Sequence, residues 1–513
     1  MPFLSLGPQA GTYRYIVRIL PGIPTHSVNL LPSYHRIWEC TIRTIATSQQ
    51  SYYNKILSEK EGFNMSETMT EGNSLKQILS FALPLLLGNL LQQTYNMVDA
   101  AIVGRYLGTD ALASVGASSS VQFLVMGFCI GICLGFAIPV AQRFGANDHT
   151  SMREYIFQGA VIAAGIALVC TVLCALLCPN ILRLLSTPDN IYDDAYAYLF
   201  VLFLGIPFNI LYNFQASILR AVGNSKTPFF FLAFSTVLNI ILDLLCIVVF
   251  QWGCRGAAIA TITAQAVSGV CCLFYIIKKY EFLHPRREEM RLDRHKAGTL
   301  FAMGLPMGLQ FSITAIGSMV MQSANNSLGS VYVSGFTAGA RIKQFAMCPF
   351  DAIASAVSTF CGQNLGAGKY DRIKQGIRQG ALVGVSYGIF IGLVLIFFGR
   401  TLSLLFISST ETAVLDASAQ YLRCMGYFYW ALGILNVFRM STQGLGYSGR
   451  AVYGGVIEMA ARIIVSVCFV PVYGYNAICF ADQAAWVSAC LYIVPTCLFC
   501  LKKAKKHCPE TAA

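Results

Sequence analysis

The chain has 513 residues, of which 56% are hydrophobic and 12% are charged, and its formal net charge is +12. The charged share is about half of the roughly 25% that soluble domains carry. So few polar side chains cannot cover a soluble globule, which excludes a solvated enzyme, a disordered chain and a secreted disulfide scaffold. We therefore expect a multi-pass membrane protein in a lipid bilayer, with no nucleic-acid partner.

The predicted elements begin after an N-terminal arm, residues 1–74, that contains no apolar run long enough to cross a bilayer. We interpret residues 1–64 as an upstream or disordered arm and Met65 as a candidate natural start. Twelve runs that are long enough then follow, near 78–103, 112–138, 156–178, 195–219, 228–250, 256–277, 299–325, 331–360, 375–398, 417–441, 451–471 and 477–500. Backbone groups in lipid must pair within their own segment, so these runs predict helices and an all-α polytopic membrane protein.

The sequence repeats itself with an offset of 220 to 223 residues. AQRFGA at 141–146 resembles GQNLGA at 362–367, and LRAVGNS at 219–225 resembles TQGLGYS at 442–448. Six spans per repeat predict two pseudo-symmetric six-helix bundles related by an axis along the membrane normal. The predicted domains are the bundles 75–277 and 298–502, the basic cytoplasmic linker 278–297 and the tail 503–513.

Loop charges predict the orientation in the membrane. If the N-terminus is cytoplasmic, the outer loops carry only Arg105, Arg183, Arg255 and Arg400, whereas the inner loops and tail carry most of the remaining Lys and Arg. The positive-inside rule then places both termini in the cytoplasm. We expect a monomer in the plasma membrane, which in bacteria is the cell inner membrane.

Polar side chains inside the spans are costly, so each needs a cavity or a partner. Gln92, Asn96 and Asp99 form one stripe with Gly88 on span 1, and Asn239 and Asp243 lie four residues apart on span 5. Spans 4 and 6 add Tyr198, Asn209, Tyr212, Thr261 and Gln265. If these faces converge, the oxygen-rich and negative cavity suits Na⁺ or a shared proton. Alternatively, each polar residue hydrogen-bonds a neighbouring helix.

The second bundle also carries charges inside predicted spans. Glu458 and Arg462, four residues apart, are expected to form a salt bridge on one helix. Asp351 has Lys343 eight residues earlier, so its role stays open between structure and cavity. Asp482 is expected near the outer interface with a solvated role.

Other classes of function find little support. None of the six histidines lies in a predicted span, which disfavours haem and metal enzymes, and no Walker A motif occurs. We therefore expect neither an enzyme nor a cofactor. A lipid-linked-oligosaccharide flippase needs a cationic cavity, and Arg439 and Arg462 keep that alternative open.

Several segments resemble the multidrug and toxic compound extrusion (MATE) family. They are Pro84–Arg105 with its Asn96-Met97-Val98-Asp99, the Gln142-x-x-Gly145-Ala146 motif, LRAVGNSKTP at 219–228 and Asn239-x-x-x-Asp243. The resemblance covers about 75–502. Spans 7 and 10 lack the acidic residues of the NorM-like branch, so the sequence is more similar to the DinF-like or MepA-like branch.

The resemblance implies a twelve-helix antiporter that exports bulky, often cationic organic compounds while H⁺ or Na⁺ enters. Its implied cation site consists of Asp99, Tyr198, Asn239, Asp243 and Thr261. A bound Na⁺ would lie at Asp99, Asn239 and Asp243. We expect substrate to contact Gln92, Asn96, Asn209, Tyr212 and Gln265, and Pro84 to act as a hinge because proline removes a backbone hydrogen bond.

Overall fold

A computed structural model describes residues 68–184 and 187–505 of the chain. Every regular element in these ranges is helical. The α-helices are α1 Ser74–Tyr106, α2 Thr109–Gly145, α3 His149–Leu184, α4 Asp189–Leu204, α5 Ile206–Ala221, α6 Lys226–Leu244, α7 Gly253–Lys279, α8 Arg294–Asn326, α9 Ser330–Gly366, α10 Tyr370–Ser403, α11 Thr412–Gly426, α12 Tyr429–Gly444, α13 Ser448–Ile464, α14 Val470–Tyr473 and α15 Tyr475–Lys505. The interpretation of residues 1–64 and the last eight residues of the predicted tail lie outside the described residues.

The all-α prediction is confirmed, and the predicted spans coincide with helices. By length and composition, ten spans are long and apolar enough to cross a membrane, and α4 with α5, bent by 47°, adds an eleventh. The tenth predicted span, 417–441, is divided at Tyr427 and Phe428 between α11 and α12, which do not meet that test. Gln420 and Arg423 make α11 more polar than the other spans.

The internal repeat reappears in the turns. Gly108 and Gly329, which precede α2 and α9, have φ angles of +93° and +105°. Gly223 and Gly446, in the two related loops, both have φ of +89°. These angles lie in a region that residues with a side chain rarely adopt, so glycine at corresponding positions builds the same turn in each half.

The two halves meet through four long helices, with α1 packed on α9 and α2 packed on α8. At the end of α2 and α9 the backbones themselves touch. A Cβ atom on Gly145 would overlap the carbonyl oxygen of Gln363, and one on Gly366 would overlap the carbonyl oxygen of Gln142. Glycine is therefore required at both crossing points. We call this end of the molecule the closed end.

Two related hydrogen bonds join the halves at the closed end. Gln142 Nε2 donates to the carbonyl of Gly444 at 3.2 Å, and Gln363 Nε2 donates to the carbonyl of Ala221 at 2.8 Å. Each bond runs from the second helix of one half to the end of the fourth span of the other. The closed end is thus sealed by the same contact made twice.

The linker between the halves is ordered. It contains two short 3₁₀ turns, Glu281–Leu283 and Arg287–Glu289. Arg153 at the start of α3 pairs with Glu289 through two bonds, Nε to Oε2 at 2.7 Å and Nη2 to Oε1 at 2.6 Å. This bidentate pair anchors the linker to the first half.

Candidate functional site

The predicted cation site is assembled between α1, α4, α6 and α7. Asp99 and Asp243 are buried, with exposed fractions of 9% and 0%, and Tyr198, Asn239 and Thr261 are buried beside them. All five residues therefore belong to one cluster in the first half. Their role in ion coupling stays a prediction.

Helical spacing directs these side chains. Tyr95 and Asp99 lie one turn apart on α1, and Asn239 and Asp243 lie one turn apart on α6, so each pair faces the same direction. A π-helical turn, Leu245–Val249, follows directly after α6. Such turns occur often at functional sites because they re-aim the side chains around them.

Hydrogen bonds fix the amide and hydroxyl groups of the cluster. Tyr95 Oη lies 3.1 Å from Thr261 Oγ1. The Asn239 side-chain amide makes three hydrogen bonds in one of its two orientations. Its nitrogen then donates to Tyr95 Oη at 3.0 Å and to Asp243 Oδ2 at 3.2 Å, and its oxygen accepts from the Thr261 N–H at 3.1 Å. Tyr95 was not among the predicted cation-site residues, although its position one turn before Asp99 is visible in the sequence.

The two carboxyl groups are neighbours. Asp99 and Asp243 are close enough for one carboxyl to hydrogen-bond the other, and Tyr198 lies near both. Within the described residues, Oδ1 of each aspartate is buried without a hydrogen-bond partner. Two adjacent carboxylates in a low-dielectric environment repel one another, so the pair favours a shared proton or a bound cation.

Three of the residues predicted to contact substrate hydrogen-bond within the bundle. Asn209 Nδ2 donates to Gln265 Oε1 at 3.4 Å, which links α5 to α7. Tyr212 Oη donates to the carbonyl of Pro228 at 2.8 Å, which links α5 to α6. These bonds are the interhelical contacts that the alternative interpretation described, and a substrate role for these residues stays a prediction.

Gln92 and Asn96 are exposed on α1. Gly88 of this helix packs against α6, and Asn89 Nδ2 approaches the carbonyl of Cys348 on α9 at 3.5 Å. At about 100° per residue, Gln92 and Asn96 point between these two directions. They therefore face the space between α6 and α9, on the same side of α1 as Asp99.

The second half contains a buried network of ion pairs that the sequence only partly revealed. Asp482, 2% exposed, accepts from Lys343 Nζ at 2.8 Å, from Arg462 Nε at 3.0 Å and from Tyr421 Oη at 3.0 Å. The expectation of a solvated role for Asp482 was wrong, because its side chain points inward at these three donors. Its place near the start of a span gave no information on that direction.

The expected salt bridge between Glu458 and Arg462 is present, with an N–O distance of 3.6 Å. Glu458 makes a shorter pair with Arg439, at 2.5 Å. Arg439 and Arg462, the two cations that kept the flippase alternative open, are thus both neutralised by carboxylates. These two residues therefore no longer support the cationic cavity that a flippase needs.

An all-helical bundle with ten or eleven apolar spans among the described residues, with two long halves in contact and polar clusters between its helices, is the architecture of a multi-pass membrane protein. The MatE family model matches residues 84–245 and 306–468. The chain therefore belongs to the MatE, or multidrug and toxic compound extrusion, family, whose members are transporters.

Individual relatives agree with this assignment. The chain is 35% identical to the probable multidrug resistance protein YpnP of Bacillus subtilis (strain 168), over 71% of this chain and 81% of that protein. It is 21% identical to the multidrug export protein MepA of Staphylococcus aureus (strain bovine RF122 / ET3-1), over 77% of this chain and 88% of that protein. A solved structure titled as the outward-facing conformation of a multidrug resistance MATE family transporter superimposes with a TM-score of 0.81, at 18% identity, over 87% of this chain and 100% of that one.

Proposed function

We propose that this transporter exports organic compounds by antiport with H⁺ or Na⁺, and that Asp99 and Asp243 are the coupling groups. The observation that carries the proposal is the adjacent pair of buried carboxyls, each with one oxygen that has no partner among the described residues. A proton shared between the two groups, or a Na⁺ ligated by them and by Asn239, removes their mutual repulsion. Cation and substrate occupancy then exclude one another.

The proposed orientation puts the closed end and both termini in the cytoplasm, and the protein acts as a monomer in the plasma membrane. This orientation follows from the loop charges, because the connections at the closed end carry 16 Lys and Arg residues whereas the outer loops carry four. The structure then corresponds to an outward-open state. The substrate-contacting roles of Gln92, Asn96, Asn209, Tyr212 and Gln265 belong to the same proposal.

Pro84 supplies a bending point in the proposed cycle. It lies inside α1, one helical turn before Gly88, and proline leaves the carbonyl one turn earlier without its backbone donor. Because α1 carries Asp99 and also packs against α9, a bend at Pro84 moves the cation site relative to the second half. Cation binding would thereby be coupled to the opening of the gap between the halves.

The energy of one cation is sufficient for export. One positive charge that moves down a membrane potential gains about 2.3 kcal/mol per 100 mV, or about 3.5 kcal/mol at roughly 150 mV. At 1.4 kcal/mol per decade this supports a gradient of roughly 300-fold for a neutral substrate. For a neutral substrate, a stoichiometry of one ion per substrate therefore suffices.

The test uses everted membrane vesicles that contain the full chain, with ethidium as the fluorescent substrate. Sodium and pH gradients are imposed independently at fixed voltage, which identifies the coupling ion. Asp99→Asn and Asp243→Asn should abolish gradient-driven uptake, whereas Asp416→Asn, at an exposed position paired with Arg400, should behave as the wild type. Unchanged gradient-driven uptake in both aspartate variants would refute the coupling role.

A further inference from the structure

A small cavity at the closed end receives polar side chains from both halves. Its volume is about 50 Å³, and it is lined by Ser217 and Arg220 of α5 and by Ser355, Ser358 and Thr359 of α9. The other described residues that line it are apolar or glycine, and none of them is a carboxylate. The charge at this cavity is therefore that of Arg220 alone, and the polar groups around it are hydroxyls.

Arg220 has no carboxylate counter-ion in the described part of the chain. It takes part in none of the ion pairs there. Its Nη2 donates to Ser217 Oγ at 3.1 Å, three residues earlier on the same helix. Its Nε is buried without a hydrogen-bond acceptor among the described residues. A guanidinium has five N–H donors, and a buried charge without a partner is costly, so this group favours an anion beside it.

The hydroxyl groups of α9 at this cavity are also available as donors. The hydroxyls of Ser355, Ser358 and Thr359 make no hydrogen bond within the described residues. On α12, by contrast, the hydroxyls of Ser441 and Thr442 donate to the carbonyl one turn earlier. A serine or threonine hydroxyl rotates to suit its partner, so the α9 hydroxyls can donate to an anion that the guanidinium holds.

The repeat supplies this positive charge in the first half only. In the correspondence between LRAVGNS and TQGLGYS, Arg220 matches Gln443 of α12. Gln443 Nε2 donates to Gln310 Oε1 at 2.6 Å, so this neutral side chain has a partner within the second half. The cavity is thus asymmetric, because the first half contributes the charge and the second half contributes most of the hydroxyls.

We propose that this cavity binds one small monovalent inorganic anion, of the size of chloride, between the Arg220 guanidinium and the hydroxyls of α9. The anion accepts hydrogen bonds from both halves at once. The cavity also borders Ala221 and Gly444, whose carbonyls accept the two bonds that seal the closed end. Because the site is complete only where the halves meet, anion binding stabilises the conformation in which this end is closed.

Size and charge select the anion. A water molecule needs about 10–15 Å³ of such a cavity, whereas pockets for drug-sized ligands measure about 300–1,000 Å³. A cavity of about 50 Å³ therefore accommodates a chloride-sized ion with a few waters and excludes an organic ligand. The positive charge repels a cation, and one guanidinium compensates one negative charge, so a monovalent anion is favoured over a divalent one.

The test measures equilibrium binding of radiolabelled chloride to the full chain in detergent, with the ionic strength held constant by sodium gluconate. The wild type should bind chloride saturably, and bromide should compete for the site, whereas sulfate should not. Arg220→Gln, which introduces the residue found at the matching position of the second half, should weaken chloride affinity at least about tenfold, equivalent to about 1.4 kcal/mol. The double variant Ser355→Ala with Ser358→Ala keeps every charge and should weaken chloride affinity about fivefold.

Thermal unfolding provides a second measurement on the same variants. A ligand that binds only the folded state raises the unfolding temperature. Chloride should therefore raise the unfolding temperature of the wild type relative to sulfate at the same ionic strength. This chloride-specific rise should be absent in Arg220→Gln.

Controls separate the loss of the site from a general loss of charge or of folding. Arg378→Gln removes an arginine at an exposed position of α10 and should bind chloride as the wild type does. Gly145→Val retains every residue proposed to contact the anion but keeps α2 and α9 apart, so it should lose chloride binding. Each variant must be monodisperse, and if Arg220→Gln is not, the serine double variant decides.

The inference is overturned if the wild type shows no saturable chloride binding, or if sulfate competes as well as bromide does. It is also overturned if a monodisperse Arg220→Gln, or the serine double variant in its place, binds chloride with the affinity of the wild type. The measurement uses neither an ion gradient nor an organic substrate. Failure of the coupling proposal would therefore leave its outcome unchanged.

Discussion

Removal of the Asp482 carboxylate should strongly destabilise the second half. Asp482→Asn keeps the shape of the side chain but leaves the cations of Lys343 and Arg462, at 2.8 and 3.0 Å, facing a neutral amide. Because the Asp482 side chain is only 2% exposed, little water can reach this position to solvate the two cations in place of the carboxylate. Breaking a buried ion pair by removing one partner costs about 3–5 kcal/mol, because the other charge stays buried without compensation.

The assay is thermal unfolding of the purified full chain in detergent, followed by intrinsic tryptophan fluorescence. One kcal/mol shifts the midpoint by roughly 2–4 °C in a unit of 150–250 residues, which is about the size of one half, so the expected decrease is about 6–20 °C. The double variant Asp482→Asn with Lys343→Met should recover part of this loss, since it removes one of the uncompensated cations. The ion-pair argument is refuted if Asp482→Asn unfolds at the same temperature as the exposed control Asp416→Asn. It is also refuted if the double variant unfolds at a lower temperature than Asp482→Asn alone.

Two further predictions concern the closed end and the linker. Gly145→Val places a side chain where the carbonyl of Gln363 already touches the backbone, so α2 and α9 cannot close and ethidium transport should be lost. The control Gly165→Val, at a glycine with open space around it, should transport ethidium normally. Equal transport by both glycine variants would contradict the requirement for closure. Arg153 holds the pKa of Glu289 below its usual range, so the stabilisation from this pair is complete above the ordinary glutamate pKa of about 4.3 and is lost as the pH falls through the lowered value. Glu289→Gln should therefore unfold at a lower temperature than the wild type at pH 7, and this difference in unfolding temperature should shrink below about pH 4. A difference that stays constant from pH 7 to pH 3.5 would contradict the role of the ionised Glu289 in this pair.

Much of the fold was accessible from the sequence because lipid imposes simple rules on length and composition. Hydropathy located the helices, and the offset between AQRFGA and GQNLGA anticipated the matching turns at Gly108 and Gly329. The division of the tenth span between α11 and α12 was missed. A window average does not register that the chain leaves the helix for two residues at Tyr427 and Phe428, where packing decides the local geometry.

The candidate site was predictable where one helix carries the signal. Regular spacing on α1 and α6 singled out Asp99 and Asp243, and the structure brings them together. Spacing along one helix does not state what the facing helix contributes, so Tyr95 was not included in the cation site and Asp482 was assigned to the wrong environment. Both errors concern the rotation of one helix relative to its neighbours, which is set by side-chain packing over the whole bundle.

The repeat also shows how one ancestral unit gave two halves of different chemistry. The same helix face is Phe123 and Ile130 in the first half but Gln344 and Asp351 in the second, so duplication supplied two equivalent faces and substitution changed their polarity. The helix α1 contacts both halves, because it carries Asp99 and approaches α9 at Cys348, one turn before Asp351. A change in the position of α1 therefore alters the surroundings of Asp99 and the contact between the halves at once, which is the physical requirement for coupling cation binding to the gap between the halves.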